Sequence, residues 1–269
     1  MNPVAVTGLL VAAIRAEESA RPDRLFEDPF ASKLAGDAGR EALARHREEG
    51  VGVPIIEVRT RWFDEGLARA WDGGVRQFVI VAAGMDARAY RLPWPGGTRV
   101  FELDQPDVLD AKAAALSGAT PLCARVPLPT DLAGPWWDAL AAAGFARDAR
   151  TAWLVEGLLQ YLERPAVERL FAKLDSLSAP GSICLYDMVG QSLLDAPFMA
   201  PMLERMRALG APWIFGSDEP ESFLPGWAVS RVNPAVPGNA WKRWPFPAPP
   251  VGAAEGPSGY FLEGIKGTS

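Results

Sequence analysis

QFVIVAAGMDAR (residues 77–88) opens with an apolar run of strand length and turns on small residues; a second such run, TRVFELD (98–104), follows. A strand that is apolar at successive positions is buried on both faces, which requires helices packed above and below it. Gln77 to Ala83 is the first such strand and Thr98 to Leu103 the second. Further along, helix and strand alternate. A helix from Pro106 to Leu116 precedes a strand from Pro121 to Val126, and a helix from Pro135 to Ala143 precedes a strand from Thr151 to Val155. Pro165 to Leu177 is an amphipathic helix opened by a proline, and Ser182 to Met188 a fifth strand. This alternation predicts an α/β fold with a mostly parallel, doubly wound sheet and right-handed crossovers. Trp227 to Val232 and Tyr260 to Ile265 read as closing strands on either side of a proline-rich loop, Pro245 to Pro257, and predict an antiparallel ending.

Upstream of residue 73 the rhythm is helical. Thr7 to Ala16 and Pro29 to Glu49 carry apolar residues at three- and four-residue spacing, interrupted by RPDRLFEDP (21–29). Ile55 to Trp71 places Ile55, Val58, Trp62, Leu67 and Trp71 on or near one face, and Asp72-Gly73-Gly74 stops it. No internal repeat or interdomain linker interrupts the chain.

A chain of 269 residues and 29.0 kDa can bury about three quarters of its unfolded surface, so neither disulfides nor a structural metal is required. With 49% hydrophobic and 22% charged residues the composition is globular. The net charge of −6 gives a nucleic-acid partner no electrostatic support. Cys123 and Cys184, far apart in apolar runs, read as reduced core thiols, and with His46 the sole histidine they do not make a zinc site. Val4 to Ile14 is too short to span a bilayer and lacks the basic start of a signal peptide, so a cytoplasmic protein without a membrane partner is expected.

In a parallel sheet, ligands bind beyond the carboxyl ends of the strands, near the point where strand order reverses. The first strand is followed by Ala82-Ala83-Gly84, a small-residue turn that lets backbone N–H groups approach a ligand. The second ends in Asp104, which lies 104 − 84 = 20 residues beyond Gly84, where a carboxylate grips a ribose diol. A nucleoside-type ligand is favoured over a surface acid. NAD enzymes share that acid, but their three-glycine fingerprint is answered here by Ala82, Gly84 and Ala87, which disfavours a dehydrogenase. Glu156, emerging from the buried fourth strand, needs a partner, and an α-amino group is one candidate. Arg59, in the helix before the first strand, is placed to meet an α-carboxylate, unless it is a solvated charge like Arg61. Together these describe an amino acid joined to a nucleoside, as in S-adenosylmethionine.

RTRWFDEGL (59–67), AAGMDARAYRL (82–92), VFELDQP (100–106) and VEGLLQYL (155–162) resemble enzymes of the leucine carboxyl methyltransferase type, S-adenosylmethionine-dependent O-methyltransferases that include bacterial polyketide and natural-product enzymes. RPDRLFEDPFA (21–31) and GYFLEGIKG (259–267) fit the same pattern, so the likeness touches nearly the whole chain. The resemblance implies a class I methyltransferase, Rossmann-like fold with N-terminal helices and a C-terminal lid-like insertion. Its division would be a helical cap (1–72), a cofactor-binding core (73–190) and an acceptor-side insertion with the closing strands (191–269). It implies that Arg59 holds the cofactor's carboxylate, that Ala82, Ala83 and Gly84 line its amino-acid tail, and that Asp104, with Gln105 beside it, binds the ribose. Asp131-Leu132 matches the adenine site, Glu156 the acid facing the amino-acid end, and Tyr161 the tyrosine five positions later, the catalytic candidate. On spacing alone Asp131 reads as a cap. One departure is Ala82, where the family's turn usually has glycine; if that position needs positive φ, a Cβ costs about 1 kcal/mol.

The expected acceptor is a small molecule or peptide. With the only histidine far upstream of the cofactor region, a carboxylate, which is already ionised, is favoured over a hydroxyl that would need a base. Hydroxyl methylation in polyketide tailoring and a non-catalytic cofactor-binding relative are the alternatives. On residue type alone Tyr161, Trp136, Trp137, Trp213, Trp227, Trp241 and Trp244 read as core or packing before they read as a substrate box. Trp241 and Trp244, flanking Lys242-Arg243, are a candidate wall for the acceptor.

Overall fold

A computed structural model describes residues 3–48, 52–247 and 256–267. Helices α1 (Pro3–Ala20), α2 (Ala31–Glu48) and α3 (Ile55–Asp72) precede β1 (Gln77–Val81). The alternating region follows: α4 (Arg88–Arg91), β2 (Arg99–Asp104), α5 (Pro106–Ala115), β3 (Ala124–Pro129), α6 (Trp136–Ala142), β4 (Thr151–Val155), α7 (Arg164–Ser176) and β5 (Ile183–Val189). The remainder holds α8 (Gln191–Leu194), α9 (Ala200–Ala208), β6 (Trp227–Val232), α10 (Ala235–Ala240) and β7 (Gly259–Lys266).

Seven strands form one sheet in the order β3-β2-β1-β4-β5-β7-β6. The first five are parallel; β7 runs antiparallel to both β5 and β6, as the closing pair predicted. β1 and β4 are buried at every position because each face carries its own core. Phe78, Ile80, Val100 and Leu154 join α1, α2, α3 and α5 on one side. The alternate residues Val79, Val81, Phe101 and Trp153 join α6 and α7 on the other. Side chains two apart along a strand share a face, so one sheet supports two cores.

The third strand lies three residues later than expected, Ala124–Pro129 instead of Pro121 to Val126. It is the sheet edge, so Pro127 and Pro129 need donate no hydrogen bond to an outer neighbour. In α2, Gly36 adopts φ +57 and kinks the helix. Glu49, the expected end of that helix, and residues 248–255 of the expected proline-rich loop lie outside the described residues. Cys123 and Cys184 are free thiols; burial pushes the Cys123 pKa up to about 12 and that of Cys184 higher still, so both stay protonated. Among the described residues no helix is long and apolar enough to cross a membrane.

Candidate active site

From β1 the chain builds β2 and β3 to one side and β4 and β5 to the other, so the loops leaving β1 and β4 part at the reversal. A cleft of about 2700 Å³ opens there, roofed in part by α1 and α9. Leaving β1, Ala82 takes φ +56 and Gly84 φ +43. The positive φ anticipated at Ala82 is present, on a residue that carries a Cβ. A Cβ built on Gly84 would meet only the Ala82 carbonyl oxygen, at 3.9 Å, so the glycine opens onto free space.

Asp104, at the tip of β2, fastens that turn. Its Oδ2 accepts the Gly84 N–H at 2.6 Å and its Oδ1 the Gln105 N–H at 2.7 Å. A carboxylate oxygen accepts more than one hydrogen bond, so both keep capacity for hydroxyl donors. Burial raises the pKa of Asp104, against the lowering effect of the two amides.

Arg59 rises from α3 to the tips of β4 and β5. Its Nε donates to Glu156 Oε1 and its Nη1 to Asp187 Oδ2, each at 3.0 Å, which uses two of the guanidinium's five N–H groups. Arg59 and Glu156, expected to meet the carboxylate and the amino group of one amino-acid tail, thus also meet each other. Gly157, with φ +66, packs against this guanidinium; a Cβ there would stand 3.2 Å from both Nη1 and Nη2. The second oxygen of Glu156 accepts Arg88 Nη1 at 2.7 Å. Arg88 also pairs with Asp86 and, at 2.6 Å, with Asp64. Burial alone would raise the Glu156 pKa, but Arg88 and Arg59 outweigh it and hold the carboxyl low. Burial dominates at Asp187 and raises it, despite Arg59 and the Gly157 N–H.

The other expected positions also line the cleft. Leu132 and Asp131 lie in the loop after β3, where Asp131 Oδ1 accepts the Ala133 N–H at 2.9 Å, a turn-forming contact. Tyr161 ends a short 3₁₀ turn (Leu159–Tyr161) and is half-buried at the wall. Of the candidate acceptor wall, Arg243 and Trp244 line the cleft, with Arg243 paired to Glu18 at 3.0 Å. Trp241 instead stacks against Arg61, 4.3 Å from ring centroid to guanidinium. Trp213 lines the cleft as well, and His46 reaches it from the last turn of α2.

Asp187, Arg88, Gly157 and Glu57 escaped the sequence reading. Asp187 carries a weaker form of the signal of Glu156: an acid near the end of an apolar strand run (SICLYDM), two residues before β5 ends at Val189. Glu57 lines the cleft from the first turn of α3, and burial raises its pKa.

Residues 8–175 match the family model described as leucine carboxyl methyltransferase. A Frankia alni protein named as an S-adenosyl-L-methionine-dependent methyltransferase is 41% identical over 258 residues, covering 91% of each chain. A Mycobacterium avium protein of the same name is 46% identical over 263 residues, covering 86% of this chain and 81% of its own. Among solved structures, a Thermobifida fusca protein titled as a methyltransferase shares the fold with a TM-score of 0.64 at 18% identity, over 91% of this chain and 94% of the other. A DUF574 family protein from Streptomyces avermitilis gives 0.60 at 16% identity, over 94% and 99%. The chain belongs to the leucine carboxyl methyltransferase family.

Proposed function

We propose that this S-adenosylmethionine-dependent methyltransferase is a cytoplasmic enzyme of natural-product biosynthesis that methylates a carboxylate oxygen of a small-molecule or peptide acceptor, giving a methyl ester. The observation that carries the choice of acceptor is the charge of the cleft. In a chain of net charge −6, the described residues lining the cleft include nine Lys and Arg against eight Asp and Glu, Arg45 and Arg169 of α2 and α7 among them, so the cleft is more basic than the chain as a whole and better suited to an anion.

The residues fit the cofactor. Asp104 would take the ribose hydroxyls, with Gln105 beside it, and Asp131-Leu132 the adenine. Ala82, Ala83 and Gly84 would receive the amino-acid tail, Arg59 its carboxylate and Glu156 its amino group. When bound, S-adenosylmethionine supplies an electrophilic methyl group whose in-line transfer leaves a neutral thioether. The chain's tasks are then alignment and exclusion of water, with Tyr161 at the acceptor side. A carboxylate, with an ordinary pKa of about 4, is ionised at neutral pH and needs no base.

A second reading, methylation of a hydroxyl, is favoured by one observation: His46 and Glu57, both able to accept a proton, line the same cleft. Mild alkali separates the two, because a methyl ester hydrolyses and an aryl methyl ether does not. For the cofactor assignment, Asp104→Ala is expected to abolish S-adenosylmethionine binding in a calorimetric titration. An unchanged affinity would remove Asp104 from the ribose.

A further inference from the structure

The cleft is much larger than its cofactor requires. Sites that enclose one small ligand run to about 300–1000 Å³, against about 2700 Å³ here. Two helices line part of the excess: α9, whose apolar face meets no protein core, and α1, which packs Leu9, Ala12 and Ala13 into the core and turns other apolar side chains to the cleft. On α9, Met199 just before the helix, then Met202 and Met206, recur at helical spacing and line the cleft, and no residue of this helix is buried. On α1, Val4, Val11 and Ile14 line it too. The helices meet at one end, where a Cβ on Gly210 would lie 3.0 Å from Pro3 Cγ. A methionine face suits an apolar partner of variable shape, because the thioether chain is flexible and polarizable.

We propose that the acceptor is an amphipathic acid whose long apolar chain lies between the α1 and α9 faces while its carboxylate sits at the strand tips. The inference rests on the carboxylate reading above and deepens it. The occupant follows from continuity: the apolar faces and the strand-tip carboxylates belong to one cleft, so a molecule reacting at one end has its remainder in the other. Val4 to Ile14 covers about 15 Å of helix. An extended chain advances about 1.2 Å per bond, so this length matches an alkyl chain of about a dozen carbons.

The test uses the full chain with S-adenosylmethionine and straight-chain saturated acids from about four to about sixteen carbons. Ester formation is expected to show KM falling about two- to fourfold per added methylene until about twelve carbons, then levelling. Met202→Glu, and separately Met206→Gln, should flatten that slope while S-adenosylmethionine affinity is retained; neither replaces a buried side chain. A KM independent of chain length, or a slope untouched by both variants, overturns the proposal. Calorimetric binding of the same acids to the protein loaded with S-adenosylhomocysteine needs no turnover. Length-dependent binding without ester formation keeps the apolar-chain site and overturns only the carboxylate reading. Length-independent or absent binding overturns the site.

Discussion

Ala82 spends its life in a backbone region that suits glycine. Its φ of +56 brings Cβ against the following carbonyl oxygen, at about 1–2 kcal/mol. Ala82→Gly relieves that contact but gives the unfolded chain more freedom, worth about 0.4–1 kcal/mol. A net gain of about 0.5–1 kcal/mol is expected, seen as a higher denaturant midpoint at unchanged slope; a lower midpoint would mean the alanine sits there without strain. Glu57 makes a second case. Burial raises its pKa above the ordinary 4.5, and neighbouring Glu18 and Glu17 add to this while Arg243 opposes it. An acid whose folded pKa is raised costs stability once ionised: the penalty is absent below the unfolded pKa and grows as pH climbs through the folded value. Glu57→Gln should therefore raise the melting temperature at pH 8 and leave it nearly unchanged at pH 4. An equal gain at both would assign the effect to packing instead of charge.

Between residues and the molecule stand the elements, and Gly157 shows how one turn serves two of them. Its left-handed conformation swings the chain away from β4, and its missing Cβ leaves room for the Arg59 guanidinium from α3. Gly157→Ala should cost about 1–2 kcal/mol in backbone strain and weaken S-adenosylmethionine binding by displacing Arg59. Calorimetry together with denaturant unfolding reads both, and a loss of stability with intact affinity would detach Arg59 from the cofactor. The same scale explains what the sequence makes legible. β1, β2, β4 and β5 stand out because burial on both faces leaves no polar alternation to confuse them. β3, half-exposed at the edge and carrying two prolines, is displaced by three residues, and the single turn of α4 is too short for any period. α9 goes unread because its apolar side faces a cleft, so no core enforces a strong pattern. Ala82, Gly84, Asp104 and Glu156 are legible as strand-end residues of a parallel sheet. Arg88 is not: an arginine two places after an acid gives no sign that it lies buried among three carboxylates.

At the scale of the whole molecule, α1 is tied to the sheet's working edge by Arg15. This buried guanidinium donates to the Met85 carbonyl, in the turn after β1, and stands 3.3 Å from Asp28 in the α1–α2 connection. A ligand settling on that turn therefore acts on α1 as well. At a hundred times its dissociation constant, S-adenosylmethionine should stabilise the fold by about 2.7 kcal/mol, read as a melting-temperature increase. Hydrogen exchange should slow in α1 together with the β1 turn. Arg15→Met should leave the slowing at the turn and abolish it in α1; equal slowing of α1 in both proteins would show that Arg15 is not the link. The placing of β7 has a different kind of consequence. It separates β5 from β6, yet the ribosome makes it after both, so β6 waits without a sheet neighbour while the intervening stretch to residue 259 is translated. At about 5–20 residues per second that wait lasts on the order of seconds, during which the nascent chain presents the bare margin of β5 to any passing strand.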